Sequence, residues 1–269
     1  MTLGGFQKTT LIDFPGKIAA TVFTSGCSFR CPWCYSPELV LPSEIKKHPK
    51  LPEKEFFKFL KERRKLLDGL VLCGGEPTIN KDLPAFIKKI KKLGFLVKLD
   101  TNGSNPEMLK KLINEKLNDY VAMDLKAPLG LKSQFPMREE SSAFFFRLVS
   151  PSRNSASNFQ TNSKSQTSKY EKATGIKVDL NKIKKSIEII KNSGIDYEFR
   201  STIVPTVHTK EDVIEMAKWI KGAKRYYLQN FRPEKTIDPK FEKIKPYPKE
   251  FLIEIQKIIS PFFEICQIR

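Results

Sequence analysis

The 269-residue sequence predicts an α/β fold built around a parallel sheet. Three observations carry that expectation. Short apolar, β-prone runs alternate with amphipathic helical stretches, the pattern that gives parallel strands joined by crossover helices. About six such units are present, which suits a partial (β/α)6 parallel barrel better than a closed eightfold one. The apolar runs also end repeatedly in polar or glycine-rich groups, and parallel α/β sheets bind ligands beyond the carboxyl ends of their strands.

Residues 18–23 are apolar and β-prone and form the first predicted strand. Residues 53–65 read as a helix, and residues 69–72 as a short buried strand. Asn80 is placed to cap a helix with apolar positions Leu83, Phe86, Ile87 and Ile90, closing at Gly94. Residues 95–99 form the third strand. Asn105-Pro106 then opens a helix carrying Leu109, Leu112 and Ile113, and residues 120–123 form the fourth strand. After an interruption, Asp179 caps a helix with Leu180, Ile183, Ile187 and Ile190 that ends near Gly194. Residues 197–204 are the fifth strand. Thr209 caps a helix through Trp219 and Ile220, stopped at Gly222, and residues 225–228 are the sixth strand.

The interruption, residues 130–168, is rich in Ser, Asn and Gln and has no acidic residue after Glu140. Its composition predicts a flexible insertion between strand 4 and its helix, within a single domain of residues 1–269. No run approaches the roughly 18 apolar residues of a membrane span. Residues 1–17 lack a signal peptide's charged start and apolar block. A soluble, cytoplasmic protein without a membrane partner is expected. The net charge of +18 raises a nucleic-acid reading. The lysines are scattered over helix faces, as at Lys61, Lys88, Lys89, Lys91 and Lys92, so a Lys-rich solvated surface is preferred.

Of five cysteines, Cys27, Cys31 and Cys34 lie within eight residues, and Cys73 and Cys266 stand apart. An odd, clustered set argues for metal ligation in a reducing compartment rather than disulfides. Thiolates bind soft metals and iron–sulfur clusters. Three ligands in one loop leave a fourth position open, whereas structural zinc would want a fourth protein ligand. Cys73, Cys266, His48 and His208 are remote candidates for one. Cys73 reads as a small strand residue, Cys266 as core, and His208 as a residue leading into a helix. Around the cysteines, the other strand ends carry Gly74-Gly75-Glu76-Pro77, Asp100-Thr101-Asn102-Gly103, Asp124 with Lys126, Arg200, and Gln229-Asn230.

The Cys27-x-x-x-Cys31-x-x-Cys34 spacing, Trp33 before the last cysteine, and Gly74-Gly75-Glu76-Pro77 downstream together resemble the radical S-adenosylmethionine (SAM) superfamily. The resemblance implies a partial barrel of that type and a [4Fe–4S] cluster on Cys27, Cys31 and Cys34. It implies that S-adenosylmethionine chelates the open iron and is cleaved by one electron to a hydrogen-abstracting 5′-deoxyadenosyl radical. It places Trp33, Gly74, Gly75, Glu76, Pro77, Asn102, Arg200 and Gln229 around the S-adenosylmethionine. Gly74 and Gly75 would let backbone approach the ligand, Glu76 would accept from its ammonium, and Arg200 would reach its carboxylate.

The opening from Gly5 through Lys17, leading into Thr24-Ser25-Gly26-Cys27, is similar to the anaerobic ribonucleoside-triphosphate reductase activating proteins. These are glycyl-radical-enzyme activases, with the pyruvate formate-lyase activating enzymes as relatives. That likeness implies hydrogen abstraction from a backbone glycine of anaerobic ribonucleoside-triphosphate reductase, with a flavodoxin or ferredoxin as electron donor. It also implies a monovalent cation at Asp100, Thr101 and Asp124. The sequence departs from the pattern after strand 6, where the relatives' histidine is missing or replaced, Gln229 being the candidate substitute. Two other readings stand beside the activase. One is a radical SAM enzyme acting on another glycyl radical enzyme, a small molecule, a peptide or tRNA. The other is a non-catalytic cysteine-rich metal-binding module, against which the strand-end Glu76 and Arg200 count.

Overall fold

The computed structural model describes residues 1–130 and 168–269. The predicted insertion, 130–168, lies outside the described residues except for its two end positions. Strand β1 (Leu3–Thr10) runs antiparallel along β2 (Ala19–Thr24). After the cysteine loop come α1 (Pro37–Val40), α2 (Pro42–Lys47) and α3 (Glu53–Glu62). Then β3 (Gly69–Gly74), α4 (Leu83–Lys92), β4 (Leu96–Thr101), α5 (Pro106–Asn114) and β5 (Tyr120–Asp124) alternate. The second half holds α6 (Lys169–Thr174), α7 (Leu180–Lys191), β6 (Asp196–Ile203), α8 (Lys210–Trp219), β7 (Arg225–Asn230), α9 (Lys249–Ile259) and β8 (Ile265–Ile268).

All six predicted strands are present as β2 to β7. The two edge strands, β1 and β8, escaped the sequence reading. β1 carries two glycines after Leu3, and neither edge strand shows a regular alternation of buried with exposed positions. Helix starts follow their caps: the side chains of Asn105, Asp179 and Thr209 accept backbone N–H groups at the heads of α5, α7 and α8. Asn80 does not cap α4, because it closes a 3₁₀ turn (Pro77–Ile79), its Nδ2 donating to the Pro77 carbonyl, and Asp82 takes the position before the helix. Along α4 the apolar Leu83, Phe86, Ile87 and Ile90 fall on one face and are buried. Each such side chain contributes roughly 1.5–3 kcal/mol on burial.

Among the described residues the strand order is β1 through β8 without reversal, and every pairing from β2 to β8 is parallel. A doubly wound sheet reverses its order partway. This one does not, so its crossover helices all pack on one face and it curls as an open, partial barrel. The two faces differ accordingly. Leu70, Leu72, Val97, Leu99, Val121, Met123, Phe199, Tyr226 and Leu228 join the helices in the main core. The alternate positions form the inner face. There Phe14, from the β1–β2 loop, packs with Ala19, Val71 and Tyr120. Beyond this small cluster the inner face is polar, carrying Lys98, Asp100 and Glu198, all buried. Continuous parallel winding gathers the carboxyl ends of β2 to β7 along one edge.

Candidate active site

The cysteine loop leaves β2 at that edge and is fastened on every side. Gly26 N–H donates to the Leu39 carbonyl at 2.7 Å, and its own carbonyl accepts Glu76 N–H at 2.8 Å. Arg30 N–H donates to the Thr174 carbonyl, at the end of α6. Gly175 caps that helix at φ +68°, and a Cβ there would lie 2.2 Å from the Arg30 carbonyl oxygen. Backbone donors of Ile237 and Asp238 reach the Cys34 and Pro32 carbonyls. The loop therefore holds its shape through protein contacts.

Cys31 is buried, and Cys27 and Cys34 are half-buried. Burial, with the Glu76 charge behind it, pushes the Cys27 thiol up to about 11. Burial likewise takes Cys31 to about 12 and raises Cys34. Metal binding must therefore displace thiol protons. Among the described residues no three His, Cys, Asp or Glu side chains converge where one ion would sit. A cluster instead takes one thiolate per iron. Three thiols in one fastened loop fit a four-iron cluster with one iron left open, and do not fit a single tetrahedral zinc.

Gly74 and Gly75 serve the protein itself. A Cβ on Gly74, at φ +110°, would lie 2.4 Å from the Thr24 nitrogen, and one on Gly75 would lie 1.9 Å from the Gly26 carbonyl oxygen. The lack of side chains lets this turn approach the cysteine loop closely. Glu76 is engaged within the protein. It is wholly buried, and its Oε1 accepts from Thr78 N–H at 3.1 Å, Thr78 Oγ1 at 2.5 Å and Thr101 Oγ1 at 2.7 Å, while Oε2 accepts Asn102 N–H at 2.6 Å. Burial raises its pKa against the pull of those four donors. The carboxylate brackets the ends of β3 and β4. Pro77 opens the 3₁₀ turn that Glu76 caps. Asn102 faces the cysteines: its Nδ2 donates to Ser28 Oγ at 3.0 Å and approaches Cys27 Sγ at 3.8 Å.

The residues of the expected cation site pair with neighbouring charges of the protein. Arg200 Nη1 donates to Asp100 Oδ2 and Arg200 Nε to Asp124 Oδ1, both at 2.9 Å. Lys98 Nζ reaches Asp100 Oδ1 at 2.6 Å, and Lys126 Nζ reaches Asp124 Oδ2 at 3.0 Å. Thr101 is engaged by Glu76. In this structure Asp100, Thr101 and Asp124 are all engaged by protein groups, and Arg200 is held between the two carboxylates. Glu198, wholly buried, lies 3.9 Å from Arg200 and is bound by Arg269 and by Tyr120 OH. Burial opposes the charge on Asp124, but Arg200 and Lys126 outweigh it and hold that carboxyl well below the usual range. Burial likewise opposes the charge on Lys126, and Asp124 and the neighbouring cysteines raise it regardless.

Trp33 is buried, its ring edge-on to His208 at 5.9 Å and tilted against Phe241. Gln229 is half-buried and pairs in register with Thr202. Cys73 is half-buried on the inner face, where burial and then the Asp100 charge push its thiol up to about 12. Sequence reasoning gave no role to Lys98 or Glu198, and placed Lys126 only among the strand-end groups. The signal was available in a lysine and a glutamate inside β-prone apolar runs, which require partners.

Three loop cysteines at the carboxyl edge of an open parallel barrel fit the class of iron–sulfur enzymes. Comparison with known proteins narrows the class. A profile described as the radical SAM superfamily matches residues 21–149. A Methanocaldococcus jannaschii protein, provisionally named a glycyl-radical enzyme activating enzyme, is 32% identical over 273 residues, covering 99% of this chain and 95% of that protein. The anaerobic ribonucleoside-triphosphate reductase-activating protein of Escherichia coli K12 is 25% identical over 136 residues, 46% of this chain and 86% of that protein. Streptococcus suis SuiB bound to S-adenosylmethionine superposes over 92% of this chain with a TM-score of 0.56 at 15% identity. This chain spans 51% of that structure, and the likeness concerns fold alone. The chain belongs to the radical SAM superfamily, and membership implies a [4Fe–4S] cluster and S-adenosylmethionine. No helix among the described residues is long and apolar enough to cross a membrane.

Proposed function

We propose that the protein is a radical SAM activase that abstracts hydrogen from a backbone glycine of a partner enzyme, anaerobic ribonucleoside-triphosphate reductase. The observation that carries this reading is near full-length similarity to a relative named as a glycyl-radical enzyme activating enzyme. The shorter match to the E. coli reductase-activating protein supports the choice of partner. On this reading Cys27, Cys31 and Cys34 each hold one iron. When bound, the cluster and S-adenosylmethionine supply a one-electron cleavage that generates the hydrogen-abstracting radical.

The chain's own residues bind, orient and shield. The Gly26–Gly75 contact and the Glu76 bracket hold the cysteine loop against the ends of β3 and β4. Asn102 Nδ2 lies over Cys27 and Ser28. Lys126, Arg200, Lys98 and Arg269 set four cations against the three carboxylates of Asp124, Asp100 and Glu198. The Lys126 charge bears on all three loop cysteines and favours the cofactor's carboxylate there. Lys126, at the outer end of this row, takes the part the sequence reading gave to Arg200. A flavodoxin or ferredoxin in the cytoplasm fits as the electron source.

The test is anaerobic reconstitution with iron and sulfide, followed by incubation with S-adenosylmethionine, a reductant and the candidate reductase. A glycyl radical doublet by electron paramagnetic resonance and release of 5′-deoxyadenosine are expected. Cofactor cleavage with no protein radical on the reductase would move the substrate elsewhere. Stoichiometric zinc without cleavage would overturn the enzyme reading.

A further inference from the structure

His208 was read from sequence as a residue leading into a helix, and it does precede Thr209 at the head of α8. It is also 1% exposed, and both of its ring nitrogens are engaged. Nδ1 accepts Val204 N–H at 3.0 Å, at the end of β6, and Nε2 lies 2.8 Å from the Lys126 carbonyl, just past β5. Because Nδ1 accepts, the proton is on Nε2, which donates to that carbonyl. Burial lowers the ring's pKa, in keeping with this neutral form. Trp33 of the cysteine loop packs on the ring, and Tyr247 OH donates to the His208 carbonyl at 2.8 Å. One buried ring thus touches the cysteine loop and the ends of two neighbouring strands.

We propose that His208 is a positioning residue for Lys126: by fixing the Lys126 backbone against the end of β6, it sets where the Lys126 ammonium stands beside the cysteine loop. This rests on the reading of Lys126 as the cation that favours the cofactor's carboxylate. His208 touches neither cofactor nor reacting atoms. Lys126 is otherwise held through its own side chain on Asp124 and, one residue earlier, through Leu125 N–H on the Arg200 carbonyl. The histidine supplies the bond at the Lys126 carbonyl.

Two substitutions separate the ring's two bonds. His208→Gln places an amide N–H where Nε2 stands and keeps the donor to Lys126. His208→Asn places an amide oxygen where Nδ1 stands and keeps only the acceptor for Val204. Each is measured for iron and sulfide content, for amide exchange over residues 124–128, and for the S-adenosylmethionine concentration giving half-maximal cleavage. All variants should retain the cluster. His208→Gln should stay within about 3-fold of the parent. His208→Asn should raise the half-saturating concentration about 10-fold at little cost in maximal rate, the scale of one lost hydrogen bond, with faster exchange over 124–128. Equal behaviour of the two variants, unchanged exchange in His208→Asn, or loss of iron in both would overturn the proposal. A parent protein that neither binds nor cleaves S-adenosylmethionine would instead sink the functional reading, and the exchange comparison still decides the role of His208.

Discussion

Glu76 Oε2 accepts the Asn102 backbone N–H at 2.6 Å, joining the turn after β3 to the turn after β4 inside the protein. The two residues lie 26 positions apart, yet the bond fixes the turn on which the cysteine loop rests.

Glu76→Ala leaves the buried N–H groups of Thr78 and Asn102 without acceptors. Each stranded donor costs ~1–3 kcal/mol. Chemical denaturation should show a loss of that order, with unchanged stability contradicting the bracket.

Gly75→Ala forces a Cβ to within 1.9 Å of the Gly26 carbonyl oxygen, so the cysteine loop must move. Iron bound per chain after reconstitution should fall several-fold while the far-ultraviolet circular dichroism is retained.

Cys31→Ala removes one of the three clustered thiols and should abolish cluster binding. Cys73→Ala alters an inner-face strand residue outside the loop and should leave iron content intact. Loss of iron in Cys73→Ala would overturn the ligand assignment.

Arg200→Lys replaces a planar fork that serves two carboxylates with a point charge that can serve one. Breaking a buried pair costs roughly 3–5 kcal/mol, and the low end is expected because the Asp124 side chain is 30% exposed. The destabilisation is read by urea unfolding.

Asp124 supplies an acid limb. Its folded carboxyl titrates below the unfolded value of about 3.9, so the unfolded chain binds more protons in that range. The stability from its pairing with Arg200 and Lys126 is complete above the unfolded pKa and is lost as pH falls through the folded one. The stability difference between the parent and Asp124→Asn should be constant near neutral pH and shrink below about pH 4. A difference independent of pH down to the acid transition would contradict the pairing.

Much of the barrel was legible because strand–helix alternation is written locally: each of β2 to β7 is an apolar run, and Asn105, Asp179 and Thr209 cap the helices they were expected to cap. β1 and β8 were missed because an edge strand carries a weaker pattern. Asn80 looks like a cap in sequence, but in the fold it closes the 3₁₀ turn that Pro77 starts, and Asp82 precedes α4.

The sequence by itself determined the three-cysteine spacing, the glycine-rich turn and the family to which they belong, since each is a short contiguous pattern. Only the tertiary structure decided how the polar strand ends are used. Parallel register sets Asp124 of β5 beside Arg200 of β6, and brings Asp100 of β4 within reach of the same guanidinium. In that low-dielectric interior the groups engage one another: Glu76 braces two turns, Arg200 is clamped by carboxylates, and Lys126 is left at the cysteine loop with His208 holding its backbone. Whether a charge near a strand end meets a ligand or a neighbouring strand depends on pairings across dozens of residues, which no local spacing records.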